Sequence, residues 1–234
     1  MTGGLLERRQ TAGALELRGS GPAKKVGGYA LKYGMLSQNL GGYVEACKAG
    51  MCTKSLADGR DVLCRYQHDS DMLLGRTSSG THRLTDDAVG LDYEADLPDT
   101  SYARDLAALL VRGDVRASSF AFRCMPGGDE WGFTEMGFPL RTLIEVMLID
   151  TAPVVTPAYL DSTSGLRSLA EQRGFALDDV VKAAAANQLA ELMRSRDPKV
   201  IDLKTSETGP PRDTHGLITV RQLRAGLMAK RNTL

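Results

Sequence analysis

VRASSFAFRC, residues 115–124, and RTLIEVMLID, residues 141–150, are the two stretches on which the fold turns. In the first, Val115, Ala117, Ser119 and Ala121 alternate with Ser118, Phe120, Phe122 and Cys124. A period of two with one bulky face is the pattern of a strand laid against a core. The second is dense in branched apolar residues and reads as a buried strand. Between them MPGGDEWG, residues 125–132, has the proline and glycines of a chain reversal.

The same period extends upstream. Val89, Leu91, Tyr93 and Ala95 alternate with Gly90, Asp92, Glu94 and Asp96, the signature of a half-buried strand. GYALKYGM at 28–35 and DVLCRYQ at 61–67 are further expected strands. One amphipathic helix is expected where Tyr102, Leu106, Leu109 and Leu110 share a face and Gly113 ends the run. Short strands thus outnumber helices up to Tyr159, which predicts a mainly β (α+β) protein: an antiparallel sheet curled into a barrel or sandwich, with a few helices outside.

Beyond Leu160 the pattern becomes helical. Ser168 and Glu171 have capping-box spacing, and Leu177, Val180, Val181, Ala184, Leu189, Leu192 and Met193 form a stripe. The expected organisation is a mobile N-terminal arm at 1–26, a β domain at 27–163, a helical segment at 164–196, a polar linker at 197–216 and a C-terminal helix at 217–234.

Lys plus Arg equals Asp plus Glu, 29 of each, so no overall field favours nucleic acid or an acidic membrane. No segment approaches the ~18 apolar residues of a membrane span, and charges interrupt the start of the chain, so a soluble cytoplasmic protein is expected. Cys47, Cys52, Cys64 and Cys124 have neither CxxC nor Cys/His zinc spacing. Reduced thiols and no metal site are expected.

Three histidines, His68, His82 and His215, are candidate general bases. His68 closes a strand at a loop edge, whereas His82 lies in a polar SSGTHRL turn and His215 in the expected linker. Ser119 is a candidate nucleophile, which needs a base within hydrogen-bond reach and a third group to orient that base. Glu145 interrupts the apolar TLIEVMLI run, where an ionised carboxylate is costly unless paired. It is a candidate for that third role, or else points to solvent from an edge strand; Asp150 is the alternative.

Three blocks in order, QHDSDMLLGR (67–76), GDVRASSFAF (113–122) and RTLIEVMLIDTAPVVTPAY (141–159), resemble the tailed-phage prohead protease family over about residues 28–160. The resemblance implies His68 as general base and Ser119 as nucleophile. It also implies a distant likeness to the herpesvirus assemblins, hence an assemblin-like antiparallel barrel ringed by helices. Their triad is Ser-His-His, and Glu145 stands where the second histidine would be. Two departures are visible: Ala121 replaces a usual glycine, and Asp150, Thr151 and Ala152 replace Glu-Val-Ser, which keeps the choice between Glu145 and Asp150 open.

The function implied is that of a prohead maturation serine endopeptidase, without a cofactor. It would act inside assembling proheads in the host bacterial cytoplasm, on scaffold or the scaffold-like part of the major capsid protein and on itself, and could be a homo-oligomer. The alternative is a catalytically inactive scaffolding or capsid-associated protein with the same barrel. The helical tail is expected either to tether the enzyme to scaffold helices or to cover the barrel. If it is a tether, removing residues 165–234 leaves peptidase activity intact.

Overall fold

The structure, a computed structural model, describes residues 4–12, 15–19, 24–155 and 163–196. The linker and C-terminal helix expected at 197–234 lie outside the described residues, as does His215.

Twelve strands are described: β1 (Leu6–Ala12), β2 (Glu16–Arg18), β3 (Lys25–Lys32), β4 (Val44–Cys47), β5 (Leu63–Arg65), β6 (Leu73–Arg76), β7 (His82–Asp86), β8 (Gly90–Asp96), β9 (Ala117–Cys124), β10 (Asp129–Phe133), β11 (Pro139–Leu143) and β12 (Val146–Val154). Five helices accompany them: α1 (Thr53–Ala57), α2 (Ser101–Arg112), α3 (Thr163–Arg173), α4 (Leu177–Ala185) and α5 (Leu189–Ser195). The strands form a five-stranded sheet β1-β9-β12-β5-β6, a four-stranded sheet β2-β3-β8-β7 and a three-stranded sheet β10-β11-β4. Pairing is antiparallel except for β4 with β11 and β5 with β12.

The Phe face of β9 sets the main core. Phe120 and Phe122 stack with centroids 5.2 Å apart and are buried with Leu148, Cys64 and Leu74 of their own sheet. Val26, Leu31, Leu91, Tyr93 and Ala95 of the four-stranded sheet complete that core. Each large apolar side chain so buried contributes about 1.5–3 kcal/mol. Gly90 lets β8 close on β3, because a Cβ there would lie 2.1 Å from the Leu31 carbonyl oxygen.

Four expectations are corrected. No closed barrel exists among the described residues: the strands divide into three sheets, and β1 and β6 remain edges of the largest. The expected arm at 1–26 instead supplies β1, paired along its length with β9, and β2, paired with β3. The stretch 141–150 is not one strand but the end of β11 and the start of β12, in different sheets, with Ile144 and Glu145 in the break. Ser168 does not cap a helix start; it lies inside α3 and its hydroxyl donates to Asp129 Oδ2 at 2.6 Å.

Two charged residues of that N-terminal segment, Glu7 and Arg9, are buried and paired inside the protein. Arg9 donates from Nε to Glu45 Oε1 at 2.7 Å and from Nη2 to Glu7 Oε2 at 2.7 Å. Arg141 donates to Glu7, Glu45 and Asp129. All five side chains are buried. Burial works against the charge on both arginines, but the surrounding carboxylates outweigh it and raise their pKa values above the ordinary range. The cluster therefore ties β1 to the three-stranded sheet. Through Ser168 and Gln172, both bonded to Asp129, it also ties in α3.

The apolar stripe of α3–α5 is also used. Leu166, Leu169, Val180, Ala184, Leu189 and Met193 form a second core with Leu40, Tyr43 and Trp131. Gly165 allows the approach, since a Cβ there would lie 2.2 Å from the Tyr43 hydroxyl.

Candidate active site

Alternation along β9 puts Ser119 on the face opposite Phe120, away from the main core. Directly across from it stand Gln10 of β1 and Ala152 of β12. Asp150 stands opposite Ala121 and so shares this face, but only because of an irregularity. Leu148 pairs with Phe122 and Asp150 with Ala121, so Ile149 is an extra residue in β12. A bulge of this kind reverses the side-chain alternation after it. Without it, Asp150 and Leu148 would share the apolar face.

His68 arrives from the other flank. The chain leaves β5 into a short 3-10 turn, Tyr66–His68, in which Gln67 and His68 have φ of 60° and 58°. Left-handed backbone at non-glycine residues is strained by on the order of 1–3 kcal/mol and clusters where geometry serves function. Here it turns the imidazole over the sheet.

Three side chains thus meet. His68 Nδ1 lies 2.6 Å from Asp150 Oδ1, and Nε2 lies 2.7 Å from Ser119 Oγ. With the Nδ1 proton donated to the carboxylate, Nε2 is free to accept the serine proton. Arg65 Nη1 lies 3.4 Å from Asp150 Oδ2, so the second carboxylate oxygen is also engaged. Ser119 Oγ also lies 2.9 Å from the Arg9 carbonyl oxygen, so its one proton has two acceptors. The group is closed off: Ser119 has no solvent exposure and His68 only 7 %.

Glu145 is not part of this group. It stands in the break between β11 and β12, and its Oε1 accepts from Lys54 Nζ at 2.7 Å on an exposed edge. The charge that interrupts the apolar run thus pairs at the surface, and the carboxylate beside His68 is Asp150. Ala121 has ordinary strand backbone, with no positive φ, so a side chain there costs little.

His82 is also placed differently from the sequence reading. It opens β7 and is 2 % exposed. Its Nδ1 donates to the Val62 carbonyl at 3.2 Å, and its Nε2 accepts from the Thr151 hydroxyl at 3.1 Å. Burial pushes its pKa down to about 4, so it is a neutral core residue on the other face of β12 from Asp150. The four cysteines are free thiols. Among the described residues no group of His, Cys, Asp or Glu could hold a metal ion, and no helix is long and apolar enough to cross a membrane.

A mainly β scaffold that brings a buried serine, histidine and aspartate into one hydrogen-bonded chain has the arrangement of a serine hydrolase. The family model described as Caudovirus prohead serine protease matches residues 14–174, and the chain belongs to that family. Among solved structures it is similar to the bacteriophage T4 capsid assembly protease, at 12% identity and a TM-score of 0.46, covering 64% of this chain and 96% of that one. No curated protein matches significantly.

Proposed function

We propose that this chain is a serine endopeptidase of prohead maturation in which Ser119 is the nucleophile, His68 the general base and Asp150 the group that orients the base. The observation that carries this reading is the continuous chain Ser119 Oγ, His68 Nε2, His68 Nδ1, Asp150 Oδ1, with links of 2.7 and 2.6 Å. Membership of the Caudovirus prohead serine protease family supports it.

His68 Nε2 takes the proton of Ser119 as Oγ bonds to the scissile carbonyl carbon, and Asp150 stabilises the imidazolium that forms. The imidazolium then protonates the departing amine as the C–N bond breaks. Water, deprotonated by the same imidazole, cleaves the acyl ester and restores the serine. Because Ser119 is fully buried, a peptide reaches it only when the site opens locally.

The substrates proposed are the scaffold or the scaffold-like part of the major capsid protein, and the chain itself, inside the assembling prohead. At the concentrations within such a shell, modest intrinsic affinity suffices. The test is co-expression with the capsid protein of the same phage. Cleavage by the parent and none by Ser119→Ala is the expected result; cleavage persisting in Ser119→Ala removes Ser119 from its role. Intact products in both point instead to a capsid-associated protein without catalysis.

A further inference from the structure

We infer that Arg65 is a positioning residue for the same reaction: acting through Asp150, its charge holds that carboxylate ionised beside a neutral imidazole, so that His68 is free to take the proton of Ser119. The inference rests on the reading of Ser119, His68 and Asp150 as a triad and adds the group that sets its protonation.

Strand parity brings the pair together. Asp150 is the β12 residue beside Leu63 of β5. Arg65 lies two residues further along β5, so its side chain leaves the sheet on the same face as Asp150. There Nη1 lies 3.4 Å from Asp150 Oδ2, while Oδ1 faces His68 Nδ1 at 2.6 Å. A charge-assisted N–H···O bond measures about 2.7–2.9 Å. The Arg65 contact is longer than that, so it supplies charge rather than a fixed hydrogen bond.

The site needs that charge. Asp150 is 2 % exposed, and a carboxylate taken out of water stays ionised only against a counter-charge; otherwise it binds a proton. A neutral imidazole is no counter-charge. Among the described residues Arg65 is the one permanent cation in an ion pair with Asp150, and it pairs with no other carboxylate. The remaining neighbours cannot replace it. Ser119 and Ala121 of β9 are uncharged, and on the other face of the sheet burial pushes His82 down to about 4 and the Cys64 thiol up to about 12, so both are neutral near pH 7. Asp69, next to His68, is exposed and accepts from the Asp71 N–H. Arg8, opposite Ala121 on β1, is exposed and two strands from Asp150. Lys54 pairs with Glu145, Arg60 with Asp58 and Arg76 with Asp61, and Arg123 donates to the Gly4 carbonyl oxygen.

A charge role and a structural role differ in how the loss depends on pH. Without the guanidinium charge, Asp150 and His68 together bind a proton at a higher pH than in the parent, and a pair that already holds a proton cannot take one from Ser119. Raising the pH removes that proton and restores the rate. A structural defect slows the reaction at every pH and leaves the profile in place. The experiment uses a preparation that cleaves in the co-expression test. It measures the rate at which a fluorophosphonate labels Ser119, by intact mass, from about pH 5 to pH 9, which spans the range where a histidine changes charge. The proteins are the parent, Arg65→Met, Arg65→Gln and Arg65→Lys, each with its melting temperature. In the labelling step Ser119 Oγ bonds to phosphorus, fluoride leaves with the P–F electron pair, and His68 takes the proton.

The pH of half-maximal labelling should rise by about one unit in both neutral variants, the low end of the range for an opposite charge so close, because the guanidinium is partly exposed. On the acid side that shift is a loss of about tenfold, and it fades as the pH rises. Arg65→Lys, which keeps the charge, should keep the parent profile. Neutral variants with the parent midpoint overturn the inference, whether they label at the parent rate or uniformly more slowly. So does Arg65→Lys shifted as far as the neutral variants, and neutral variants that do not fold assign Arg65 to the fold and overturn it as well. Each of these results leaves the triad standing. Parent protein whose cleavage survives Ser119→Ala overturns the triad itself, and the inference with it.

Discussion

Asp150 reaches His68 because Ile149 is one residue too many for the pairing of β12 with β9. The bulge carries a carboxylate from the core face to the face of Ser119, where it sets the proton of His68 on Nδ1. Asp150→Asn keeps the shape but presents an amide that can hold the imidazole in the wrong tautomer. A fall in kcat on the order of 10³–10⁴-fold is expected, with little change in melting temperature. Glu145→Gln, which removes only an exposed ion pair with Lys54, should leave kcat within about twofold, because exposed pairs contribute about 0–1 kcal/mol. Cleavage of the capsid protein by the two variants, measured side by side, checks both statements.

The boundary between what could and could not be read from the residues runs through this same strand. The alternation at 115–124 gave the correct face for Ser119, because a regular strand projects its side chains by parity alone. The loop edge gave the place of His68, for the same local reason. The choice between Glu145 and Asp150 depended on two interruptions, the break at Ile144–Glu145 and the bulge at Ile149, which arise from pairing with strands distant in sequence. Arg9, Glu7 and Arg141 were opaque for a related reason. A charged residue reads as exposed until its partners, as many as 134 positions away for Glu7 and Arg141, are brought to it by the fold.

The buried ion cluster should be costly to break. Arg141→Met leaves Glu7, Glu45 and Asp129 with Arg9 as the one guanidinium of the cluster. Removing one member of a buried charge network typically costs about 3–5 kcal/mol. A drop of that size in urea unfolding is expected, and a variant as stable as the parent would show that the cluster contributes no net stability.

His82 gives the fold a dependence on pH. Its folded pKa of about 4 lies below the ordinary histidine value of 6.5, so between those values the unfolded chain binds a proton that the folded chain refuses. Stability therefore falls as pH drops through that window and is unaffected by this residue above it. At about 1.4 kcal/mol per unit, the full effect approaches roughly 3 kcal/mol. Urea unfolding at several pH values should show this slope in the parent and its loss in His82→Gln, measured as the difference between the two.

The cysteines should be slow to react. Burial pushes the thiols of Cys52, Cys64 and Cys124 up to about 12 and that of Cys47 higher still, so thiolate is scarce at neutral pH. Iodoacetamide should leave the folded protein largely unlabelled over the time of an assay, and cleavage should persist. Rapid inactivation matched to alkylation of one cysteine would show a thiol at the site.

The helical segment should prove inseparable from the β domain. Removing residues 165–234 was expected to spare the peptidase if these helices were only a tether. Helices α3–α5, however, cover Leu40, Tyr43 and Trp131, and α3 supplies the Ser168 and Gln172 bonds to Asp129 in the ion cluster. Their loss exposes several large side chains worth about 1.5–3 kcal/mol each, against a typical net stability of about 5–15 kcal/mol. The effect also travels toward the site, because that cluster holds Arg9, whose carbonyl oxygen lies against Ser119. A chain ending at residue 196 should melt near the parent temperature and still cleave, whereas one ending at residue 162 should melt far lower and be inactive. A 1–162 fragment that stays folded and active would return α3–α5 to the role of a detachable tether.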